Sequence, residues 1–263
     1  MSIADRAIAL DGLYNLRELG GLSHAGGQIG VGRFWRSDSL HGLDEAGLRF
    51  LADRGLVTVI DLRQEDEAAG QPNPFASAGM GVTYHNAPIF AGLNLAAPEI
   101  VDAKDPLLAL YCRALSDRAA RFVAVMQLIA DAPPGAVLFH CTVGKDRTGM
   151  VAAMLLRLAG VDGAAIVADF VETGRHIGPV LDGLRARAEA NGWDVTRLSR
   201  YWRSDARTME DFLDHLERVH GGVETFLRDA GLDDAALERI RGRLLDAKPH
   251  SGLGDLPMPA RTA

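Results

Sequence analysis

The feature that most limits the fold of this chain is a change of hydrophobic pattern around residue 140. Ala136 to His140 is a short, β-favouring apolar run, and Met150 to Leu158 is a longer, strongly apolar one, with Gly144 between them. That order predicts a strand, a tight loop and a helix. Upstream, short β-rich runs alternate with helical patterns through the first 160 residues. Gly32 to Arg36 and Leu56 to Ile60 read as strands, and a third strand falls within Gly81 to Ala87. Leu43, Leu48, Leu51 and Ala52 recur at roughly helical spacing after the N-cap candidate Asp44, which predicts a crossover helix. Ala119 to Ala130 reads as a buried helix stopped before Pro133 and Pro134. The fold class is therefore α/β, a mostly parallel central sheet flanked by helices.

From Val161 to about Leu245 nearly everything reads as helix, punctuated by Gly160, Gly192 and the pair Gly221 and Gly222. The expected organisation is one domain over residues 1–247, with a core over about 11–175 and a helical addition over about 176–247. Residues 248–263, rich in Pro, Gly and small side chains, are expected to be a mobile tail.

Residues 140 to 149 read His-Cys-Thr-Val-Gly-Lys-Asp-Arg-Thr-Gly. A nucleophile followed six residues later by arginine, on a glycine-containing loop that opens a helix, suits a reaction that holds a dianion while sulfur attacks it. The backbone N–H groups from Thr142 through Val143, Gly144 and Lys145 to Arg147 can turn inward around phosphate oxygens, and the helix adds its positive end. Arg147 supplies a planar fork for two parallel hydrogen bonds that lysine does not reproduce. The same positive field favours sulfur as thiolate at Cys141, the predicted nucleophile. Thr148 is placed to donate to that sulfur when it departs. A bare Cys-x5-Arg would suit a buried structural cysteine equally well. Here His140, Gly144, Thr148 and Gly149 also fall where the chemistry needs them.

The loop resembles the signature of the protein tyrosine phosphatase superfamily, and its Gly-Lys-Asp-Arg-Thr-Gly version is similar to the bacterial tyrosine/serine and phosphoinositide phosphatase branch. Asn15-Leu16-Arg17-Glu18-Leu19-Gly20-Gly21 is similar to that branch's opening Asn-x-Arg-Asp-x-Gly-Gly, Arg36-Ser37-Asp38 to its Arg-Ser step, and Ile60-Asp61-Leu62-Arg63 to its Asp-Leu-Arg strand end. Glu18 departs from the usual aspartate. The resemblance runs from about residue 11 to 175. It implies a phosphocysteine intermediate, a phosphorylated protein or a phosphoinositide as substrate, inorganic phosphate as product, and no cofactor.

Two charges inside the loop are unusual. Lys145 suits substrates with more than one phosphate, as the resemblance implies, and is expected to select anionic ones. The leaving oxygen needs a proton. Asp146, within the loop, is the first candidate to supply it, and Asp61, at the end of a parallel strand, is the second. Asp102 and Asp105 lie at roughly the upstream distance that dual-specificity enzymes use. For Asp61 a structural role beside Arg63 competes, and for Asp102 and Asp105 a solvent-exposed loop. Arg197, Arg200, Arg203 and Arg207 would share one face of a helix and could cover the site or meet an anionic lipid surface. An ordinary solvated helix pairing with Asp194, Asp205 or Asp211 is the competing reading.

Composition narrows the partners. With 28 basic against 35 acidic residues the net charge is −7, which disfavours a nucleic-acid partner. Cys112 and Cys141 show no Cys-x-x-Cys spacing and the eight histidines no paired ligand spacing, so neither disulfide nor metal is expected, and Cys112 reads as a packed residue. No signal peptide or spanning stretch is visible, so the expectation is a cytoplasmic protein without stable membrane insertion; export without such a signal stays open. The lysine of the loop lacks a following Ser or Thr, which removes a Walker A reading. Two alternatives accompany the phosphatase reading: a non-catalytic phosphate-recognition module, which phosphate release would reveal as inert, and a rhodanese- or arsenate-reductase-like use of the cysteine.

Overall fold

In the computed structural model, which describes residues 6–245, the strands fall where the pattern changes period. Strand β1 (Arg17–Glu18) precedes a small hairpin of β2 (Ser23–His24) and β3 (Gly27–Gln28), followed by β4 (Phe34–Ser37), β5 (Leu56–Asp61), β6 (Thr83–Asn86) and β7 (Ala136–His140). The main sheet has the order β1-β4-β7-β5-β6. Strands β4, β7, β5 and β6 are parallel, and β1 closes one edge antiparallel to β4.

Strand β7 is central and buried along its whole length, which is why it reads as a continuous apolar run. Alternate residues serve opposite faces: Val137 and Phe139 join one core cluster, Ala136 and Leu138 the other. The register sets Ser37 beside His140 on one side and Asp61 beside it on the other. The carboxyl ends of β4, β7 and β5 therefore share one edge, where ligands bind in open α/β sheets.

Helix α1 (Glu45–Asp53) starts as expected, with the Asp44 side chain accepting from Gly47 N, and buries Leu48 and Leu51 under the sheet with Leu138 and Trp35. Helix α2 (Glu65–Gly70) follows β5, and α3 (Pro98–Val101) precedes α4 (Pro106–Asp131). The helix expected over Ala119 to Ala130 is the second half of α4. It begins earlier because Pro106 occupies the first turn and Asp105 caps it, accepting from Leu107 N and Leu108 N, each at 3.0 Å. A break at Arg118 (φ −130°, ψ 24°) divides it.

Helix α5 (Asp146–Leu158) leaves the loop and sinks Met150, Val151, Met154 and Leu155 into the larger cluster. After it come α6 (Gly163–His176), within the expected core, and the helices of the expected addition, α7 (Gly178–Ala190), α8 (Val195–Ser199), α9 (Ala206–His220), α10 (Val223–Asp229) and α11 (Asp234–Leu245). Phe212, Phe226 and Ile240 from the addition share that cluster with Phe34 and Phe139 of the sheet. Each such side chain is worth roughly 1.5–3 kcal/mol of burial. Residues 248–263, expected to be mobile, lie outside the described residues. Among the described residues no helix is long and apolar enough to cross a membrane.

Candidate active site

The loop between β7 and α5 is shaped from outside. Ser39 N donates to Thr142 O at 3.2 Å, and the Asn15 amide to Val143 O at 3.0 Å and Gly144 O at 3.2 Å. Arg36 Nη2 donates to Gly144 O at 2.8 Å. In a trans peptide the C=O and the following N–H point opposite ways. Three carbonyls held outward therefore turn the amides of Val143, Gly144 and Lys145 inward, a concavity suited to an anion, with the positive end of α5 beside it. Gly144 has φ +72°, and a Cβ there would stand 2.5 Å from Ser37 O. Only glycine fits that approach. Cys141, buried at 2% exposure, opens this loop.

Arg147 extends from the first turn of α5 and is already held. The Glu67 carboxylate accepts from Nη1 at 2.5 Å and from Nη2 at 2.9 Å, and also from the Thr142 hydroxyl at 2.5 Å. The guanidinium lies 5.6 Å from the Phe90 ring centroid. Burial pushes the Glu67 carboxyl up, but the hydrogen bonds and charge of Arg147 outweigh it and bring it down to about 2. Glu67 has no counterpart among the residues the sequence singled out. Its spacing from Gln64 forms a capping box, with Gln64 N donating to Glu67 at 2.9 Å, so the visible signal is of a helix start.

His140 lies behind Cys141, fully buried. Asn73 Oδ1 accepts from Phe75 N, which turns the Asn73 nitrogen toward His140 Nε2 at 2.9 Å. Nε2 thus accepts, and Nδ1 carries the proton to Cys141 O at 3.1 Å. Burial, partly offset by Asp61, lowers the imidazole to about 4 and keeps it neutral.

Asp61 does not reach the mouth of the site. Its carboxylate is buried and accepts from Arg63 N, Nε and Nη2 and from the Tyr84 hydroxyl, at 3.0, 2.9, 2.7 and 3.0 Å. These contacts fit the competing structural role beside Arg63. Asp105 likewise caps α4 and takes the Thr208 hydroxyl at 2.6 Å, while exposed Asp102 faces Arg197 at 3.8 Å.

Asp146 lies at the first turn of α5 with Oδ1 accepting from the Tyr111 hydroxyl at 2.6 Å and 3.3 Å from Lys145 Nζ. Lys145 is buried, and its ammonium is not directed outward as a free cation. It donates to the carbonyls of Tyr201 and, at 2.7 Å, Arg203. The Thr148 hydroxyl is buried and, among the described residues, has no hydrogen-bond partner.

The four arginines do not share one helical face, because α8 ends at Ser199 and α9 begins at Ala206. Arg200 donates to the carbonyls of Val101, Ala103 and Lys104 at 3.3, 2.6 and 3.3 Å, and Arg207 pairs with Asp211 at 2.7 Å. The connector between α8 and α9 touches the loop through Lys145. Cys112 is half-buried, and burial pushes its thiol up to about 11, which suits packing and not attack. Glu18 accepts from Gly20 N, Gly32 N and Trp35 Nε1 at 3.0, 2.8 and 2.8 Å, so its departure from aspartate concerns the sheet edge and not the loop.

Comparison with known proteins gives the family. Residues 8–246 match the profile of the tyrosine phosphatase family. A tyrosine-protein phosphatase of Nostoc commune is 30% identical over 217 residues, covering 80% of this chain and 74% of that protein. The triple specificity protein phosphatase PtpB of Mycobacterium tuberculosis is 26% identical over 275 residues, covering 90% of this chain and 98% of that protein. The crystal structure of TpbA from P. aeruginosa aligns with a TM-score of 0.39 and 22% identity, over 74% of this chain and 96% of that one.

Proposed function

Because the chain belongs to the tyrosine phosphatase family and is an enzyme of that type, we propose that it hydrolyses phosphotyrosine, and also phosphoserine, phosphothreonine or phosphoinositides, through a phosphocysteine on Cys141. The observation that carries this reading is that the carbonyls of Thr142, Val143 and Gly144 are all held by donors from outside the loop, beside an Arg147 already oriented by Glu67. PtpB, named for triple specificity, supports the breadth of substrates.

In the first step Cys141 Sγ attacks phosphorus, an S–P bond forms, and the bond from phosphorus to the leaving oxygen breaks. Asp146 gives that oxygen its proton. Its Oδ1 is occupied by Tyr111, which leaves Oδ2 as the oxygen to carry the proton. In the second step water attacks phosphorus and gives its proton to the Asp146 carboxylate, the S–P bond breaks, and inorganic phosphate leaves. The Thr148 hydroxyl, without a hydrogen-bond partner among the described residues, donates to the departing sulfur. Amides and Arg147 stabilise the equatorial oxygens in both steps.

Phosphate release from phosphopeptides, phosphoinositides and a small aryl phosphate, measured with wild type and Cys141→Ser, tests the proposal. Turnover by wild type alone is expected. Equal turnover by both proteins would refute it.

A further inference from the structure

Behind the loop lies a cluster of charges that the chemistry of Cys141 does not use. The Asp169 carboxylate, on α6, meets three guanidinium groups: Arg6 at 2.7 Å, Arg17 at 3.4 Å and Arg36 at 2.5 Å. All four side chains are buried. Burial pushes the Asp169 carboxyl up, and the charges of Arg17, Arg36 and Arg6 bring it well below the usual carboxylate range. A buried ion cluster is a weak source of stability, because desolvation offsets much of the attraction. Three cations on one anion need another reason.

The three arginines differ in what else they hold. Arg6 donates to Glu18 O at 2.8 Å. Arg17 donates to Asn15 O at 3.3 Å, Asp169 O at 3.0 Å and Thr173 Oγ1 at 2.9 Å. Arg36 holds the loop itself, through Gly144 O at 2.8 Å. We propose that Arg36, anchored by Asp169, is a positioning residue of the phosphate cradle: it pins the Gly144 carbonyl outward and so turns the Lys145 amide, on the same peptide, toward the anion. The proposal rests on the phosphatase reading above. The Asn15 amide holds the same carbonyl at 3.2 Å, but a charged donor makes the shorter and stronger bond. A cation on the carbonyl side also polarises the peptide, which strengthens its N–H as a donor to phosphate.

Arg6 supplies the control, since it binds the same carboxylate and makes no bond to the loop. The experiment measures the Ki of inorganic phosphate against turnover of an aryl phosphate, with thermal melting, for wild type, Arg36→Gln, Arg36→Lys and Arg6→Gln. The Ki is expected to rise about tenfold or more in Arg36→Gln, the loss of one charged hydrogen bond. Arg36→Lys, whose single nitrogen reaches either Asp169 or Gly144, is expected to fall between it and wild type. Arg6→Gln lowers the melting temperature while its Ki stays within about twofold of wild type. Equal Ki changes in the Arg6 and Arg36 variants, or no change in the Arg36 variants, overturn the proposal. So does failure of both Arg36 variants to fold while Arg6→Gln folds, since Arg36 would then serve the fold alone. A wild type that neither turns over aryl phosphate nor binds phosphate removes the underlying reading instead.

Discussion

The Glu67 carboxylate holds both terminal nitrogens of Arg147, at 2.5 and 2.9 Å, and takes the Thr142 hydroxyl on Oε1, the oxygen that also accepts from Arg147 Nη2. The guanidinium is thereby oriented before any anion arrives, and ordering it at the moment of binding costs little. Glutamine in place of Glu67 offers one acceptor and an opposing N–H, so the two-point hold is lost. Glu67→Gln is expected to lower kcat/KM by roughly 10–100-fold, mostly in kcat. A rise in kcat/KM would show instead that Glu67 competes with substrate for Arg147.

Arg147→Lys keeps the charge and loses the fork. It is expected to cost about 2–4 kcal/mol in the transition state, with kcat falling more than KM rises. A change in KM alone would make Arg147 a uniform binding residue.

His140 predicts a pH dependence of stability. Its folded value of about 4 lies below the ordinary 6.5, so between those pH values the unfolded chain takes a proton that the folded one refuses. Stability is therefore full above pH 6.5 and falls as the pH drops toward 4, by about 3 kcal/mol from this residue. Denaturant titrations at intervals from pH 7 to 4.5 will show the slope in wild type and a shallower one in His140→Gln. Parallel slopes would contradict the burial of a neutral imidazole.

Asp146 and Asp61 separate by readout. Asp146→Asn is expected to slow alkyl phosphates more than activated aryl phosphates, and to steepen the dependence of rate on leaving-group pKa. Asp61→Asn leaves Arg63 buried without its counter-charge and is expected to destabilise the fold by about 3–5 kcal/mol with that dependence unchanged. The reverse pattern would make Asp61 the acid after all.

Lys145 ties the α8–α9 connector to the loop. Lys145→Met is expected to speed amide exchange across residues 200–205 by about tenfold or more. Unchanged exchange would show that the two carbonyl contacts do not hold the connector.

What could be read in advance follows a physical division. The strands β4, β5 and β7 and helix α1 were legible because their burial is one-dimensional, set by period and by a cap such as Asp44. The positions of Cys141, Gly144 and Arg147 were legible because a loop between strand and helix fixes them locally. Glu67, Tyr111 and Asp169 were not, since the first two meet the site, and Asp169 its support Arg36, across long sequence separations, and nothing in their own neighbourhoods marks the partner. For Asp105 the competing reading was a solvent-exposed loop, whereas it caps a helix whose first turn holds Pro106, a position that suits proline. The arginine spacing of 197 to 207 assumed one helix, and periodicity does not show that a turn at 200–205 interrupts it.

The central claim is that Cys141 becomes covalently phosphorylated, and trapping that species tests it most directly. Wild-type protein is mixed with a labelled aryl phosphate, quenched in acid within one turnover, digested and analysed by mass spectrometry. The account predicts phosphate on the peptide that contains Cys141, a burst of aryl alcohol equal to the enzyme present, and neither in Cys141→Ser. Turnover retained by Cys141→Ser, or a burst with the label on another residue, would contradict it.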